Sequence, residues 1–173
     1  MQATELVVEG VPKPDFVHFY RTEKKRLIAF LLYIGASPSE ADDLAQDAMV
    51  RLLPERWLSM EHPQAYLRKV AFHAYLRGQS APIVSVAELP ELPGGLDPVT
   101  HVELSELNAH VVAAVLALPS CQRTVMAFVL SGADANEIAT ALNTTLGSVY
   151  TNVSRARTEL KKALGLEKGE KNA

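Results

Sequence analysis

The chain has 173 residues, of which 48% are hydrophobic and 21% are charged, and its formal net charge at pH 7 is −3. This size suits one large or two small soluble domains, and the lack of a long apolar run or a signal peptide predicts a cytoplasmic protein with no membrane insertion of its own. The negative net charge argues against a nonspecific coater of DNA but leaves room for a local basic face.

The first half opens with helix-breaking residues and continues into a long helix. Residues 1–14 contain Gly10, Pro12 and Pro14, which predicts a flexible N-terminus. Apolar residues then recur at helical spacing, which predicts a helix from about Asp15 to Ile34.

A second helix has a strong start signal. Ser37 can cap it, Pro38 suits the first helical position, and Glu40 can complete a capping box. We expect this helix to run through Arg56 unless Pro54 bends it or ends it early. Its first half is acidic, so carboxylates are concentrated in one part of the chain.

The stretch from Trp57 to Gln64 is predicted to be a loop, and Pro63 is predicted to start a helix that runs to about Arg77. This helix interleaves aromatic residues with cations and contains no acid. Such a surface suits single-stranded DNA, because bases stack on rings while phosphates meet the cations. The alternative is a basic amphipathic helix whose aromatic residues belong to the core.

A change of composition divides the chain after this helix. Residues 79–98 hold prolines, paired glycines and acids but no cation, which predicts a flexible acidic linker. Helices are expected over about 100–116 and 120–130. The predicted domains are therefore residues 15–78 and 99–165, with a flexible tail over 166–173.

The most constrained pattern lies near the C-terminus. Asp134 and Glu137 form a predicted capping box at the start of a short helix. Asn143 can end that helix in the left-handed conformation. Thr144 or Thr145 can then cap a second helix, so the pattern predicts two helices joined by a tight turn.

The second of these helices, from about Gly147 to Leu164, has one apolar face and one face of hydrogen-bonding and basic side chains. A short helix, a turn and such a helix form the helix-turn-helix pattern, whose second helix can enter a DNA major groove. Ser, Thr and Asn reach base edges or phosphates, while Arg and Lys bind the backbone. The alternative is a helical hairpin whose polar face only meets water.

Several short motifs occur in one order between residues 118 and 164. They are Leu118-Pro119, Gln122-Arg123, Glu137-Ile138-Ala139, Gly147-Ser148-Val149, and Arg155-Ala156-Arg157 followed by Leu160. Together they resemble the promoter-binding C-terminal domain of extracytoplasmic-function sigma factors, the small two-domain members of the sigma-70 family. The resemblance implies that the second helix reads the upstream promoter element. The implied DNA-binding residues are Thr145, Ser148, Tyr150, Thr151, Asn152, Ser154, Arg155, Arg157 and Lys161.

An acidic motif in the first half, EADDLAQDAM over residues 40–49, resembles the helix with which these sigma factors bind the large subunit of RNA polymerase. The implied contacts with core RNA polymerase are Asp43, Leu44, Gln46, Asp47 and Arg51. Carboxylates and an amide beside an exposed apolar residue also suit a basic, partly apolar helical surface on physical grounds. The alternative is a solvated acidic helix start that complements the helix dipole.

The resemblance extends to the loop and helix that follow, which in this family melt and read the downstream promoter element. The implied DNA-binding residues there are Trp57, Arg68, Lys69, His73, Tyr75 and Arg77. In the upstream-reading helix this chain departs from the family at Tyr150, Thr151 and Asn152, which predicts an unusual promoter preference.

Sequence patterns of catalysis or metal binding are missing from the chain. Its five histidines form no HExxH motif or Cys/His cluster, and no glycine-rich phosphate loop occurs. The lone Cys121 cannot form an intramolecular disulfide. We therefore expect no enzymatic activity, no cofactor and no metal site.

The sequence as a whole predicts an all-α protein of two small helical domains, and the resemblance implies that it acts as an alternative sigma factor. Its expected partners are bacterial core RNA polymerase, promoter DNA and an anti-sigma factor. Two other classes remain open. A stand-alone helix-turn-helix regulator would bind duplex DNA without polymerase, and a sigma-like interaction protein would bind its partners without reading DNA.

Overall fold

The computed structural model describes residues 16–52, 54–80 and 109–166, and within these ranges every regular element is a helix. The predicted all-α fold is confirmed. The predicted N-terminal segment, linker and C-terminal tail lie almost wholly outside the described residues. The described helices are α1 (Phe16–Ile34), α2 (Pro38–Arg51), α3 (Pro54–Ser59), α4 (Pro63–Ser80), α5 (Ala109–Leu116), α6 (Ser120–Leu130), α7 (Ala135–Ala141) and α8 (Leu146–Ala163).

Helix α2 begins where the sequence predicts and ends earlier. The Ser37 hydroxyl accepts from the Glu40 backbone N–H at 3.3 Å, and the Glu40 carboxylate accepts from the Ser37 N–H at 3.4 Å. This capping box satisfies backbone donors that the first turn leaves unpaired. The helix does not continue to Arg56, and the alternative that it ends early near Pro54 is confirmed, because α2 ends at Arg51 and Pro54 starts a separate helix, α3. Proline suits a first turn, where its missing N–H costs nothing.

Helices α1, α2 and α4 pack together as the first helical unit. The buried stripe of α2 contains three alanines, Ala41, Ala45 and Ala48, and these small side chains let α1 approach closely. Leu67 and Ala71 of α4 are also buried against this unit. On α1 the buried apolar side chains are Phe19, Leu27, Ile28, Phe30, Leu31, Tyr33 and Ile34.

Helices α6, α7 and α8 form the second unit, with α5 packed against α6 and α8. Asn143 has φ 49° between α7 and α8, as its predicted left-handed conformation requires, and Thr145 caps α8 by accepting from the Ser148 N–H at 3.2 Å. A small core of its own consists of Leu118, Met126 and Ala156. The other buried side chains of this unit, such as Ile138 and Val149, belong to the cluster that also contains the core of the first unit.

The two units share an aromatic contact. The ring of Phe128 in α6, which is fully buried, lies 4.8 Å from Phe30 of α1 and 5.4 Å from Phe72 of α4, edge to face in both cases. Such ring pairs stabilise by about 0.5–1.5 kcal/mol each beyond the area they bury. The large core of the first unit therefore continues into the second, which the predicted picture of two joined bundles did not include.

Candidate functional site

The exposed face of α2 carries the side chains predicted to bind polymerase. Because Ala45 and Met49 point into the core, Asp43, Gln46 and Asp47 point outward and are exposed. Arg51 is exposed at the end of the same helix. The result is a surface with two carboxylates, one amide and one guanidinium on about two turns of helix.

Apolar surface accompanies this acidic face. Val50 is 58% exposed, whereas Leu44 is half-buried and packs against the core. Asp42, although close in sequence, forms an ion pair of 3.1 Å with Lys24 of α1. The acidic motif therefore divides by role: Glu40 caps the helix, Asp42 ties it to α1, and Asp43 and Asp47 remain on the outer surface.

The outer face of α8 carries most of the side chains predicted to read the upstream element. Val149 and Ala156 are buried, and Tyr150 on the opposite side is 63% exposed. The hydroxyl of Thr151 donates to the Gly147 carbonyl at 2.9 Å, so its proton is already engaged within the helix. The other exposed side chains among the predicted reading residues of this helix are Ser154, Arg155, Arg157 and Lys161.

Two of the predicted reading residues turn toward the first unit. Ser148 and Asn152 are half-buried, and the Asn152 amide donates to the Ser148 carbonyl at 2.9 Å. Both line a cavity of about 420 Å³ whose opposite wall includes Phe72 and Leu76 of α4. In this arrangement the start of α8 faces α4 as well as solvent.

On α4, the predicted downstream-reading cations differ sharply in exposure. Lys69 and Arg77 are exposed, whereas Arg68 is only 8% exposed. The Arg68 Nε and Nη2 atoms donate to Glu137 Oε1 and Oε2 at 2.6 and 2.8 Å, and Nη1 donates to the Ser131 carbonyl at 3.0 Å. All three nitrogens of the guanidinium thus donate to the second unit.

The aromatic residues of the downstream site are mostly packed against other rings. Trp57 lies in α3 and not in the predicted loop, and its ring sits 5.3 Å from Phe16 and 5.5 Å from Phe19. Phe72 is buried, which supports the core alternative for that residue. His73 and Tyr75 are half-buried. Exposed stacking surface on α4 is therefore smaller than the sequence pattern predicts.

Tyr75 marks a second polar contact between the units. Its hydroxyl lies close to Gly35, beside the Arg123 guanidinium of α6. Burial raises the pKa of Tyr75, the Glu40 carboxylate raises it further, and the Arg123 guanidinium lowers it. Arg123 donates from its Nη1 to the Leu116 carbonyl at 3.2 Å. In the sequence, Arg123 stands out only as part of the Gln122-Arg123 motif of the family resemblance.

Glu137 has a different role from the one its spacing predicts. Asp134 accepts from the Glu137 backbone N–H at 2.8 Å, as a cap should. The Glu137 carboxylate does not complete the predicted capping box, because it turns away from the helix start to meet Arg68. The sequence patterns did not predict this contact. The one sequence feature that could have suggested it is the absence of any acid on α4, which leaves Arg68 without a carboxylate in its own helix.

The described residues contain neither a metal-binding cluster nor a helix that could cross a membrane. Within residues 16–52, 54–80 and 109–166, no group of three His, Cys, Asp or Glu side chains could hold a metal ion. In that same part of the chain, no helix combines the length and the apolar character needed to cross a membrane.

Comparison with known proteins places the first unit in a family. Residues 19–79 match the Sigma-70 region 2 family, a span that contains the acidic face of α2 and nearly all of α4. No curated protein matches the chain.

Solved structures share the fold over most of the chain. The sigma factor RpoE in complex with the anti-sigma factor NepR from Bartonella quintana has 23% identity and a TM-score of 0.60, and the match covers 90% of this chain and 100% of that one. CnrH in complex with the cytosolic domain of CnrY has 18% identity and a TM-score of 0.56, with 88% and 89% coverage.

Proposed function

We propose that this chain, which belongs to the sigma-70 family and has the fold of its extracytoplasmic-function members, is an alternative sigma factor that binds core RNA polymerase and directs promoter-specific initiation. The observation that carries the proposal is the exposed acidic face of α2, which lies inside the segment that matches Sigma-70 region 2. In this function the chemistry of RNA synthesis belongs to the polymerase.

The proposed polymerase contact is electrostatic with an apolar edge. Asp43 and Asp47 would pair with cations on a basic helical surface, Gln46 would hydrogen-bond there, and Val50 would exclude water at the edge. Arg51 supplies one charge of opposite sign, which helps to fix the orientation of the partner. Complementary charges of this kind raise the rate of association and disfavour wrong partners.

The proposed DNA contacts follow from the exposed cations. Arg155, Arg157 and Lys161 of α8 would bind phosphates around the upstream element, with Tyr150 at the groove. Lys69 and Arg77 of α4 would bind the melted strand of the downstream element. The roles of Trp57, Arg68, His73 and Tyr75 in that strand contact remain predictions, since all four lie partly or wholly inside the structure.

Control by an anti-sigma factor is also part of the proposal. In one similar structure the sigma factor RpoE is bound to the anti-sigma factor NepR, and in the other CnrH is bound to the cytosolic domain of CnrY. Leu76 of α4, which lines the cavity between α4 and α8, is 42% exposed and offers such a partner apolar surface to cover.

Gel-filtration co-elution with bacterial core RNA polymerase at moderate salt tests the proposal. Wild type is compared with Asp43→Ala/Gln46→Ala and with the control Glu61→Ala/Gln79→Ala. The control also removes one exposed carboxylate and one exposed amide from the first half, but outside the acidic face. We expect wild type and the control to co-elute and the α2 variant to fail.

The other outcomes are informative. If folded wild-type protein does not co-elute, the sigma proposal is wrong, and selection on duplex DNA would test for a stand-alone regulator. If it co-elutes but supports no run-off transcription from any promoter in a genomic library, it is a sigma-like interaction protein that does not read DNA.

A further inference from the structure

We propose that the Arg68–Glu137 ion pair is a latch that holds the two helical units in the closed arrangement and withholds Arg68 from nucleic acid. The latch itself rests only on the geometry of the two units. Its consequence for promoter binding rests on the function proposed above.

The Arg68–Glu137 ion pair has the geometry of a bidentate arginine–carboxylate pair. The guanidinium of Arg68 on α4 makes two parallel bonds to the carboxylate of Glu137 on α7, 69 residues away, and a third to the Ser131 carbonyl. The side chains of Arg68 and Glu137 are only 10% and 18% exposed. Forked bonds between a planar guanidinium and a carboxylate combine charge with fixed direction, so this contact defines how the units dock.

Glu137 gives up a local role to make this contact. At the third position after the Asp134 cap, its carboxylate could bond the Asp134 backbone N–H and complete the capping box. It reaches across to Arg68 instead. A carboxylate in the first turn of α7 is favourable in either position because of the helix dipole, so the bond to Arg68 is the feature that requires the units to be docked.

The ion pair lies beside the apolar core that joins the units and can be reached from solvent without opening that core. Phe128 supplies an apolar contact at the centre, and the latch lies toward one side of it. Beside the latch a cleft of about 670 Å³, lined by His62 and Lys69 from one unit and by Asn136 and Thr140 from the other, gives water and ions a path to the pair. A competitor can therefore approach the latch before the units separate.

Nucleic acid is such a competitor in chemical terms. A phosphate offers the same pair of acceptor oxygens as the Glu137 carboxylate, and an arginine fork binds either one. While the Glu137 carboxylate is bound to its guanidinium, Arg68 contributes nothing to a DNA contact. Ser148 and Asn152 of α8 face α4 in the same closed arrangement, so opening the latch would uncover reading residues on both units.

Small-angle X-ray scattering of the full chain tests the latch. Glu137→Gln keeps the size of the side chain but removes its charge, and we expect it to shift the closed-to-open ratio by at least about tenfold. The radius of gyration and the maximum dimension should therefore increase. The control Glu159→Gln removes an equal charge from an exposed i, i+3 pair with Lys162 and should scatter like wild type.

The latch is wrong if folded Glu137→Gln and wild type give superimposable scattering curves. Should Glu137→Gln lose helical circular dichroism, Arg68→Lys provides the decisive curve, because lysine keeps the charge and loses the two-pronged bond. Expansion of folded Arg68→Lys supports the latch, and a wild-type curve overturns it.

A second readout separates the latch from the sigma proposal. Fluorescence anisotropy with a labelled single-stranded oligonucleotide should show several-fold tighter binding by Glu137→Gln than by Glu159→Gln, although both lose one negative charge. Equal affinities would overturn the masking of Arg68. Failure of the sigma proposal would instead appear as no polymerase co-elution by any variant, with the scattering difference unchanged.

Discussion

The two helical units differ in how they obtain their stability. The first unit buries a long apolar stripe of α1 against α2 and α4, and its core includes large side chains such as Phe30 and Leu31. Among the described residues of the second unit, Leu118, Met126 and Ala156 form a small separate cluster, while its other buried side chains, such as Phe128 and Ile138, belong to the cluster that includes the first unit. The second unit therefore depends on docking for part of its stability.

The units also differ in which surfaces the closed arrangement leaves accessible. The acidic face of α2 is exposed in the closed arrangement, while Arg68 of α4 and Ser148 of α8 lie within the interface or along it. Binding of polymerase through α2 thus needs no separation of the units. Full use of the predicted DNA contacts requires the units to separate. In the proposed function, polymerase binding therefore comes before full DNA binding.

The largest expected effect comes from breaking the shared core. Phe128→Ala removes the ring that touches both Phe30 and Phe72, and we expect it to lower the free energy of unfolding by about 3–5 kcal/mol. Urea denaturation followed by circular dichroism measures this. Leu130→Ala, on the same helix but 46% exposed, should cost far less. A loss below about 1 kcal/mol for Phe128→Ala would contradict the shared-core account.

Loss of cations from the basic face of α8 should change the salt dependence of DNA binding and leave the free energy of unfolding unchanged. Arg155→Ala/Arg157→Ala removes two exposed cations, and for each cation that binds a phosphate the slope of log affinity against log salt concentration should become shallower by about 0.9. Anisotropy titrations on duplex DNA between about 50 and 200 mM salt measure this slope. Unchanged slopes in the double variant would remove Arg155 and Arg157 from the DNA-binding surface.

A smaller effect distinguishes the helix caps. Thr145→Ala removes the hydroxyl that accepts from the Ser148 N–H, and we expect a loss of about 1 kcal/mol in the free energy of unfolding. Thr144→Ala changes the neighbouring exposed threonine and should cost a few tenths of a kcal/mol at most. Thermal denaturation of the two variants compares them. Equal losses would show that the cap contributes nothing specific.

The smallest expected effect on stability near neutral pH comes from the ionisation of Tyr33 and Tyr75. Burial raises the pKa of Tyr33 and Tyr75 above the ordinary value of 10.0, so the folded state holds their protons more tightly than the unfolded state does. The stability that this contributes is complete below about pH 10 and is lost as pH rises through the folded-state values.

Comparison of wild type with Tyr33→Phe/Tyr75→Phe isolates that contribution. We expect the denaturation midpoint of the double variant to fall less steeply than that of wild type between about pH 9 and pH 11. Parallel pH profiles for the two proteins would contradict the raised pKa values.

Local signals predicted the elements of the fold well. The Ser37 and Glu40 box, the left-handed Asn143 and the Thr145 cap all act within four residues of themselves, so the sequence contains everything they need. The error at α3 has a local cause as well. Pro54 predicts a break, but six residues from Pro54 to Ser59 are too few for periodicity to indicate a helix.

The candidate sites could be predicted only in part. Spacing told which side of α2 and α8 faces outward, and Asp43, Asp47, Arg155 and Arg157 are indeed exposed. Spacing could not tell what covers an inward or flanking residue. The same pattern of aromatic residues and cations on α4 fits both a DNA surface and a packed interface, and Phe72 belongs to the core.

By itself, therefore, the sequence determined the helical class, the starts and ends of most helices and the family resemblance, because caps, turns and periodicity are short-range physics. Only the tertiary structure decided that Phe128 joins the cores of the two units and that Glu137 leaves its cap for Arg68. Both contacts join residues far apart in the chain, and an amphipathic pattern specifies that a face is covered without specifying by which partner.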